Sequence, residues 1–298
     1  MNDPNPVQPP TPPAPPPAPP TSGVDARLPQ DMALACEAAG AAKVARNTLS
    51  TFVLAVLAGA FIAFGAIFMT VTVSGAGDLP FGVTRLLGGL VFSLGLILVV
   101  IGGAELFTGD NLMVMAWAGG RIGAGALARV WAVVYVGNFV GAVGTAVLAV
   151  AAGHYLLGGG AVGKTALAVA AAKAALPWHQ ALFLGILCNV LVCLAVWLTF
   201  SARTVAGKVA VIVPPIAAFV AAGFEHSIAN MYFLPFALLI EGVADPAFWQ
   251  AIGATPASYA ALSVPAALGN LAAVTVGNMI GGGVLVGAVY WFVYLRRR

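Results

Sequence analysis

Six long stretches of this chain carry no charged side chain. They run from Thr48 to Gly77, Leu86 to Ala104, Val130 to Gly163, Ala174 to Ala202, Val209 to Phe224 and Ala261 to Leu295. A helix crosses the hydrocarbon core of a bilayer with about 20 apolar residues. The second stretch resumes after Asp110 and the fifth after Glu225. The expected fold is therefore all-α and integral to the membrane, with six transmembrane helices of which the second and fifth are broken. The spans are expected at approximately 48–74, 84–118, 125–152, 174–201, 209–241 and 261–295. Composition agrees: 61% of the residues are hydrophobic and 8% charged, against roughly 25% charged in soluble domains. The net charge is only +3 and the basic residues form no patch, which argues against a nucleic-acid partner.

Residues 1–30 are different in kind. Met1 to Thr21 is dominated by proline and contains no apolar run. A disordered, Pro-rich cytoplasmic tail is expected there, ahead of a transmembrane domain over 31–298. It lacks the basic start and apolar middle of a signal peptide. The cysteines Cys36, Cys188 and Cys193 form no C-x-x-C pair and read as small core residues. No metal site or disulfide framework is implied.

Basic residues set the direction. Arg27, Lys43 and Arg46 precede span one, Arg121 and Arg129 separate spans two and three, Arg203 and Lys208 separate four and five, and Arg296 to Arg298 follow span six. These are ten of the thirteen Lys and Arg; only Arg85, Lys164 and Lys173 fall on the other side. The positive-inside rule puts both termini in the cytoplasm of a multi-pass protein in the cell's inner (plasma) membrane.

The two halves repeat one pattern. Span three contains Val136-Gly137-Asn138 and span six Val276-Gly277-Asn278, and spans two and five each carry a glutamate at the break, Glu105 and Glu225. Three spans repeated means that the second copy enters from the opposite face, giving two inverted three-helix repeats with a site where they meet. Breaking a helix frees backbone N–H groups that suit an anion. His226 lies in the second break and can donate a hydrogen bond to a small anion or exchange a proton with it. Glu105 and Glu225 are expected to accept hydrogen bonds from the freed N–H groups and so to organise the breaks. Lys173, read as the outer end of span four, can attract an anion by its field. Phe92, Leu96, Leu106 and Phe219 fall on or beside the broken spans, where apolar side chains can gate by dewetting; packing is the ordinary reading of such residues.

At these residues the chain resembles the formate–nitrite transporter family. The motifs are Gly59-Ala60-Phe61-Ile62-Ala63, Ala104-Glu105-Leu106-Phe107-Thr108-Gly109, the Cys188 to Trp197 segment, Gly223-Phe224-Glu225-His226-Ser227-Ile228-Ala229-Asn230-Met231, and Val274-Thr275-Val276-Gly277-Asn278, in family order over roughly Thr48 to Trp291. The resemblance implies an aquaporin-like fold, a homopentamer with one pore per protomer, and passage of small monovalent anions: formate, nitrite, hydrosulfide, and often acetate or lactate. It places His226, Lys173, Thr108, Asn189, Asn230, Glu225 and Glu105 on the substrate pathway. Phe92, Leu96, Leu106, Phe107, Phe219 and Val192 fall at its constrictions. Ala272-Ala273 stands where many members carry an apolar residue and proline, and the Pro-rich start is not a family feature. The span-two loop leans towards formate members.

The function expected is a membrane channel or transporter for formate, passing it as the neutral acid after proton uptake, without a cofactor. The alternatives are a nitrite- or hydrosulfide-preferring member of the same family and, further off, a neutral-solute channel of aquaporin type. A membrane enzyme or haem protein would need axial partners, and His154 and His179 fall near the outer loops.

Overall fold

A computed structural model describes residues 26–296, and all of the regular structure among them is helical. The proline-rich segment, residues 1–25, and the last two arginines lie outside the described residues. Helix α1 (Pro29–Ala45) begins two residues inside the stretch expected as tail. Six spans follow: α2 (Thr48–Val73); α3 (Phe81–Phe92) with α4 (Leu94–Gly102); α7 (Ala124–Ala151); α9 (Trp178–Ser201); α10 (Val205–Ala222); and α13 (Val264–Met279), which runs on through a π-helical turn at Ile280–Ala288 into α14 (Val289–Tyr294). Span two resumes after its break in α5 (Phe107–Asp110) and α6 (Val114–Ala118), and span five in α11 (Ser227–Val243).

Two short elements were not anticipated. Helix α8 (Ala161–Ala174) is separate from span four, which starts at Trp178. The interruption is Pro177 (φ −55°, ψ 143°), which stands outside the helical region and immediately precedes α9. Lys173 therefore stands on α8 and not on a span. Helix α12 (Pro246–Ala251), entered through the Asp245 cap, closes the loop before span six. Span two begins at Phe81, so Arg85 lies in its second turn.

The repeat is visible atom by atom. A β-carbon on Gly141 would stand 1.9 Å from the Val56 carbonyl oxygen; on Gly281 it would stand 2.2 Å from that of Ile186. Gly137 meets the Phe52 carbonyl as Gly277 meets that of Leu182. Spans one and three thus cross as spans four and six do, backbone against backbone, in the small-residue packing that membranes favour. The mates Tyr135 and Thr275 touch one another, with 2.9 Å between hydroxyls. A residue can meet its own mate only near the axis that relates the halves.

Candidate functional site

Both breaks open after a glycine in the left-handed region, Gly103 (φ 76°, ψ 31°) and Gly223 (φ 77°, ψ 25°). Only glycine takes this conformation without cost, so the helix ends there. The next helices start at Phe107 and Ser227, preceded by Leu106 and His226 with nearly equal dihedrals (φ −113° for both, ψ 121° and 116°).

Two asparagines hold this irregular backbone. Asn138 donates to Ala55 O (2.8 Å) and Glu105 O (2.9 Å) and accepts from Phe107 N–H (2.9 Å). Asn278 donates to Gly185 O (2.8 Å) and Glu225 O (3.0 Å) and accepts from Ser227 N–H (2.9 Å). The N–H groups of Glu105 and Glu225 reach Leu54 O and Leu184 O. Non-helical backbone at membrane depth needs such partners. The expectation that the glutamate carboxylates accept the freed N–H groups is therefore corrected: the Asn oxygens do this, because only an amide can accept from one side of the break while donating to the other.

The carboxylates turn instead to lysines on the two short helices. Lys173 Nζ lies 2.8 Å from Glu225 Oε1. Asn230 donates to Glu225 Oε2 (2.7 Å) and Asn270 Oδ1 (2.8 Å), and Asn270 donates back to Lys173 O (2.9 Å). In the first half Lys43, on α1, lies 2.6 Å from Glu105 Oε2 and also binds Asp110, while Arg46 pairs with Glu105 Oε1. Burial pulls the Lys43 ammonium down, but Asp110 and Glu105 outweigh it and hold the group above its ordinary range.

Two cavities approach the breaks from opposite sides. One, of about 520 Å³ and on the α1 side, is lined by Lys43, Arg46, Arg203, Lys208, Glu105 and Asp110 and includes Leu96 and Leu106. The other, of about 420 Å³, is lined by Lys173, Arg85 and Glu225 and includes Phe92, Phe219 and His226. Phe92 meets Phe219 edge-on at 5.7 Å, and Phe219 stacks on His226 at 5.8 Å. Between the cavities lies the buried contact of Thr108 Oγ1 with His226 Nε2, 3.0 Å.

Geometry assigns the imidazole tautomer. The N–H of Ala229 donates to His226 Nδ1 at 3.1 Å, so Nδ1 is bare and caps α11. A neutral ring then carries its proton on Nε2, which faces Thr108.

Thr108 is itself fixed from behind. Its carbonyl accepts from Asn189 Nδ2 and Cys193 Sγ, both at 3.2 Å. Asn189 also reaches Asn111 Oδ1 and Asn278 O, so it ties the first break to span six. Of the residues expected at constrictions, Phe92, Leu96, Leu106 and Phe219 line the cavities, whereas Phe107 and Val192 line neither. Phe107 packs edge-on against Tyr135 and Trp131 of α7, and Val192 sits in the apolar core.

Sequence reasoning missed Asn138 and Asn278 as site builders, although their repeat was visible. It also missed Lys43, which stands five residues before span one as Lys173 stands before span four. Arg85 was missed as a vestibule cation; its Nε and Nη2 donate to Ala221 O (3.1 Å) and Val220 O (2.5 Å) at the end of α10.

The family model described as formate/nitrite transporter matches residues 30–292. The chain belongs to the formate/nitrite transporter family. It is 46% identical to the formate channel FocA of Escherichia coli (strain K12) over 91% of this chain and 96% of that one. It is 43% identical to FocA of Haemophilus influenzae over 82% and 87%. A solved structure described as a pentameric formate channel with formate bound superposes with a TM-score of 0.80, at 47% identity, over 84% of this chain and 98% of that one. These relatives are channels, and this member of the family is a multi-pass membrane transport protein, not an enzyme.

Proposed function

We propose that the chain forms a formate channel, opening to water on both faces and closed in the middle to ions. The observation that carries this reading is the pair of cationic cavities that end against Phe92, Phe219 and Leu96, Leu106, with only Thr108 and His226 between. An anion drawn in by Lys173 and Arg85, or by Lys43 and the α1-side arginines, loses water at the apolar constriction. An unpaired charge is costly in such surroundings, and the anion neutralises instead by taking a proton. The neutral acid then passes, held midway by the Nε2–H of His226 and the Thr108 hydroxyl. His226 orients the substrate and does not supply the proton. Releasing one from the neutral ring leaves an imidazolate, and charging the ring first puts a proton on Nδ1 and breaks the α11 cap. The proton comes from water in the vestibules. Formate is favoured over nitrite and hydrosulfide by the names of the closely similar relatives.

The same reading places five protomers around an axis, each with its own pore, in keeping with the similar pentameric formate channel. The exposed Leu148, Phe183, Leu268 and Phe292 are then covered by lipid or by a second protomer. Both termini face the cytoplasm of the plasma membrane, in keeping with the distribution of basic residues.

The test is formate uptake by proteoliposomes as external pH is lowered, with water and glycerol swelling measured alongside. Uptake rises with acidity, and His226→Phe lowers it without shifting its pH dependence. Uptake independent of pH, or water and glycerol flux equal to that of an aquaporin, refutes the reading. A pH dependence lost in His226→Phe would make the histidine the proton donor after all, and uptake undiminished in His226→Phe removes it from the mechanism.

A further inference from the structure

Within the two breaks, residues 105–111 and 225–231, the halves differ at one acidic position. Aligning Glu105 with Glu225 brings Asp110 onto Asn230. The Asn230 amide donates to its glutamate. Asp110 has no amide to offer: its Oδ1 meets Lys43, the same Nζ that binds Glu105, so two carboxylates share one lysine. Its Oδ2 is buried and has no hydrogen-bond partner among the described residues. An ionised carboxylate carries two acceptor oxygens, and leaving one dry and unpaired is costly. A proton turns that side into a donor, the role the amide fills in the other half.

Arg27, Arg203 and Lys208 line the same cavity as Asp110, but no group around it hydrogen-bonds Oδ2 among the described residues. Helix α1 brings Lys43 and the Cys36 thiol, and the chain just beyond it Arg46, which is taken by Glu105. Helix α9 brings the Cys193 thiol, which donates to the Thr108 carbonyl. Helix α7 brings Trp131, whose indole N–H binds the Asp110 carbonyl (3.0 Å) and not its side chain. Glu37 faces Arg121 instead. A pocket of about 40 Å³ bounded by Cys36, Gly40, Lys43, Gly109 and Asp110 has room for a water. Asp110 also borders the large α1-side cavity, so a proton has a path to it.

We propose that Asp110 is a proton-carrying carboxylic acid: with Glu105 it holds one proton, and that proton raises the charge of the α1-side mouth by one. A hydronium ion in the cavity gives its proton to Asp110 and leaves as water; the reverse step releases it. With both carboxylates ionised, Arg27, Lys43, Arg46, Arg203 and Lys208 against Glu105 and Asp110 give the α1-side cavity a sum of +3. With the proton bound the sum is +4, against +1 for Lys173, Arg85 and Glu225 at the other mouth. Acidification on the α1 side therefore favours anion entry from that side, beyond the gain in neutral acid itself. This rests on the reading of the pore given above.

The experiment uses the full chain, wild type and Asp110→Asn, in right-side-out and inside-out vesicles. Formate flux from the α1 side is recorded as the pH on that side alone is varied. The Asn variant has no proton to lose, so the ratio of variant to wild-type flux falls about tenfold from alkaline to acidic pH, the scale of electrostatic effects on entry into a charged cleft. Infrared difference spectra of the same proteins, with and without acid, report the carbonyl stretch of a protonated carboxyl group. That band is present in the wild type and lost in Asp110→Asn, and lost again in Glu105→Gln, where Asp110 has Lys43 to itself. A flux ratio that is flat with pH, or a band that survives in Asp110→Asn, overturns the proposal. If the wild type moves no formate at any pH, the transport reading fails while the infrared band still decides the state of Asp110.

Discussion

Replacing Asn278 by alanine removes three hydrogen bonds at once, at 2.8, 2.9 and 3.0 Å, all buried. The groups left behind are the Ser227 N–H and the Gly185 and Glu225 carbonyls, all in buried residues. An orphaned buried partner costs about 1–3 kcal/mol, whereas hydrogen bonds between membrane helices average about 0.6 kcal/mol because the unfolded state in lipid finds other partners. The higher range applies to the Ser227 N–H, which sits at a helix start with no intrahelical acceptor, and the lower to the carbonyls. The sum is about 3 kcal/mol. For a protein of this size that is a fall in apparent Tm of roughly 6–12 °C. Asn138→Ala removes the mirrored set, at 2.8, 2.9 and 2.9 Å, and should fall by the same amount within a few degrees. The assay is tryptophan fluorescence on heating in detergent at one scan rate, because unfolding of such proteins is commonly irreversible. Losses under 2 °C in both variants, or a large loss in only one, would refute the reasoning that these asparagines are equivalent struts.

Further outcomes follow from the same contacts. Gly281→Ala forces spans four and six apart, since the new methyl would lie 2.2 Å from the Ile186 carbonyl; it should cost about 1–3 kcal/mol, while Gly144→Ala, with open space around it, should leave the melting temperature unchanged or slightly higher. Lys173→Met strands the buried Glu225 carboxylate and should cost about 3–5 kcal/mol; adding Glu225→Gln should restore stability but not formate uptake, and recovery of both would show that the lysine serves only the fold. Burial pushes the Cys36 thiol up to about 12, so almost none of it is thiolate at pH 8 and maleimide should label it slowly; rapid labelling in the folded protein would mean that α1 is not docked as described.

The spans and their repeat were legible because apolar length and the absence of charge survive in one dimension. The breaks were legible for the same reason: Glu105 and Glu225 interrupt runs that otherwise lack charge. What could not be read was the partner of each charge. Helices α1 and α8 are too short and too mixed to register as spans, yet they deliver Lys43 and Lys173 to the two carboxylates. The struts were hidden in a different way. Asn138 and Asn278 were seen as a repeated motif, but an asparagine at a close helix crossing gives no sign of which backbone it faces. Phe107 was placed at a constriction through its motif, and the start of α5 turns it instead towards Trp131 and Tyr135.

The scaffold is nearly symmetric, which makes its departures informative. Gly103 and Gly223, Asn138 and Asn278, Lys43 and Lys173 are matched in residue and geometry, and they build two equal breaks. Among the matched positions that carry different residues, three stand at or beside the pore. Leu106 faces His226: one is an apolar floor, the other a hydrogen-bond donor that also caps its helix. Gly59 lies against the Asn138 carbonyl with no side chain, where its mate Asn189 donates to Asn278 O and reaches across to Thr108. Asp110 replaces the amide of Asn230 with an acid. A wholly symmetric pair of halves would meet at an axis lined by like residues and would treat both directions alike. Here the polar contact at the centre, Thr108 with His226, joins unmatched residues, and the titratable one of the two mouths is on the α1 side alone. These three pairs, together with Arg46, whose mate is Leu176, are where the two directions of the channel differ chemically.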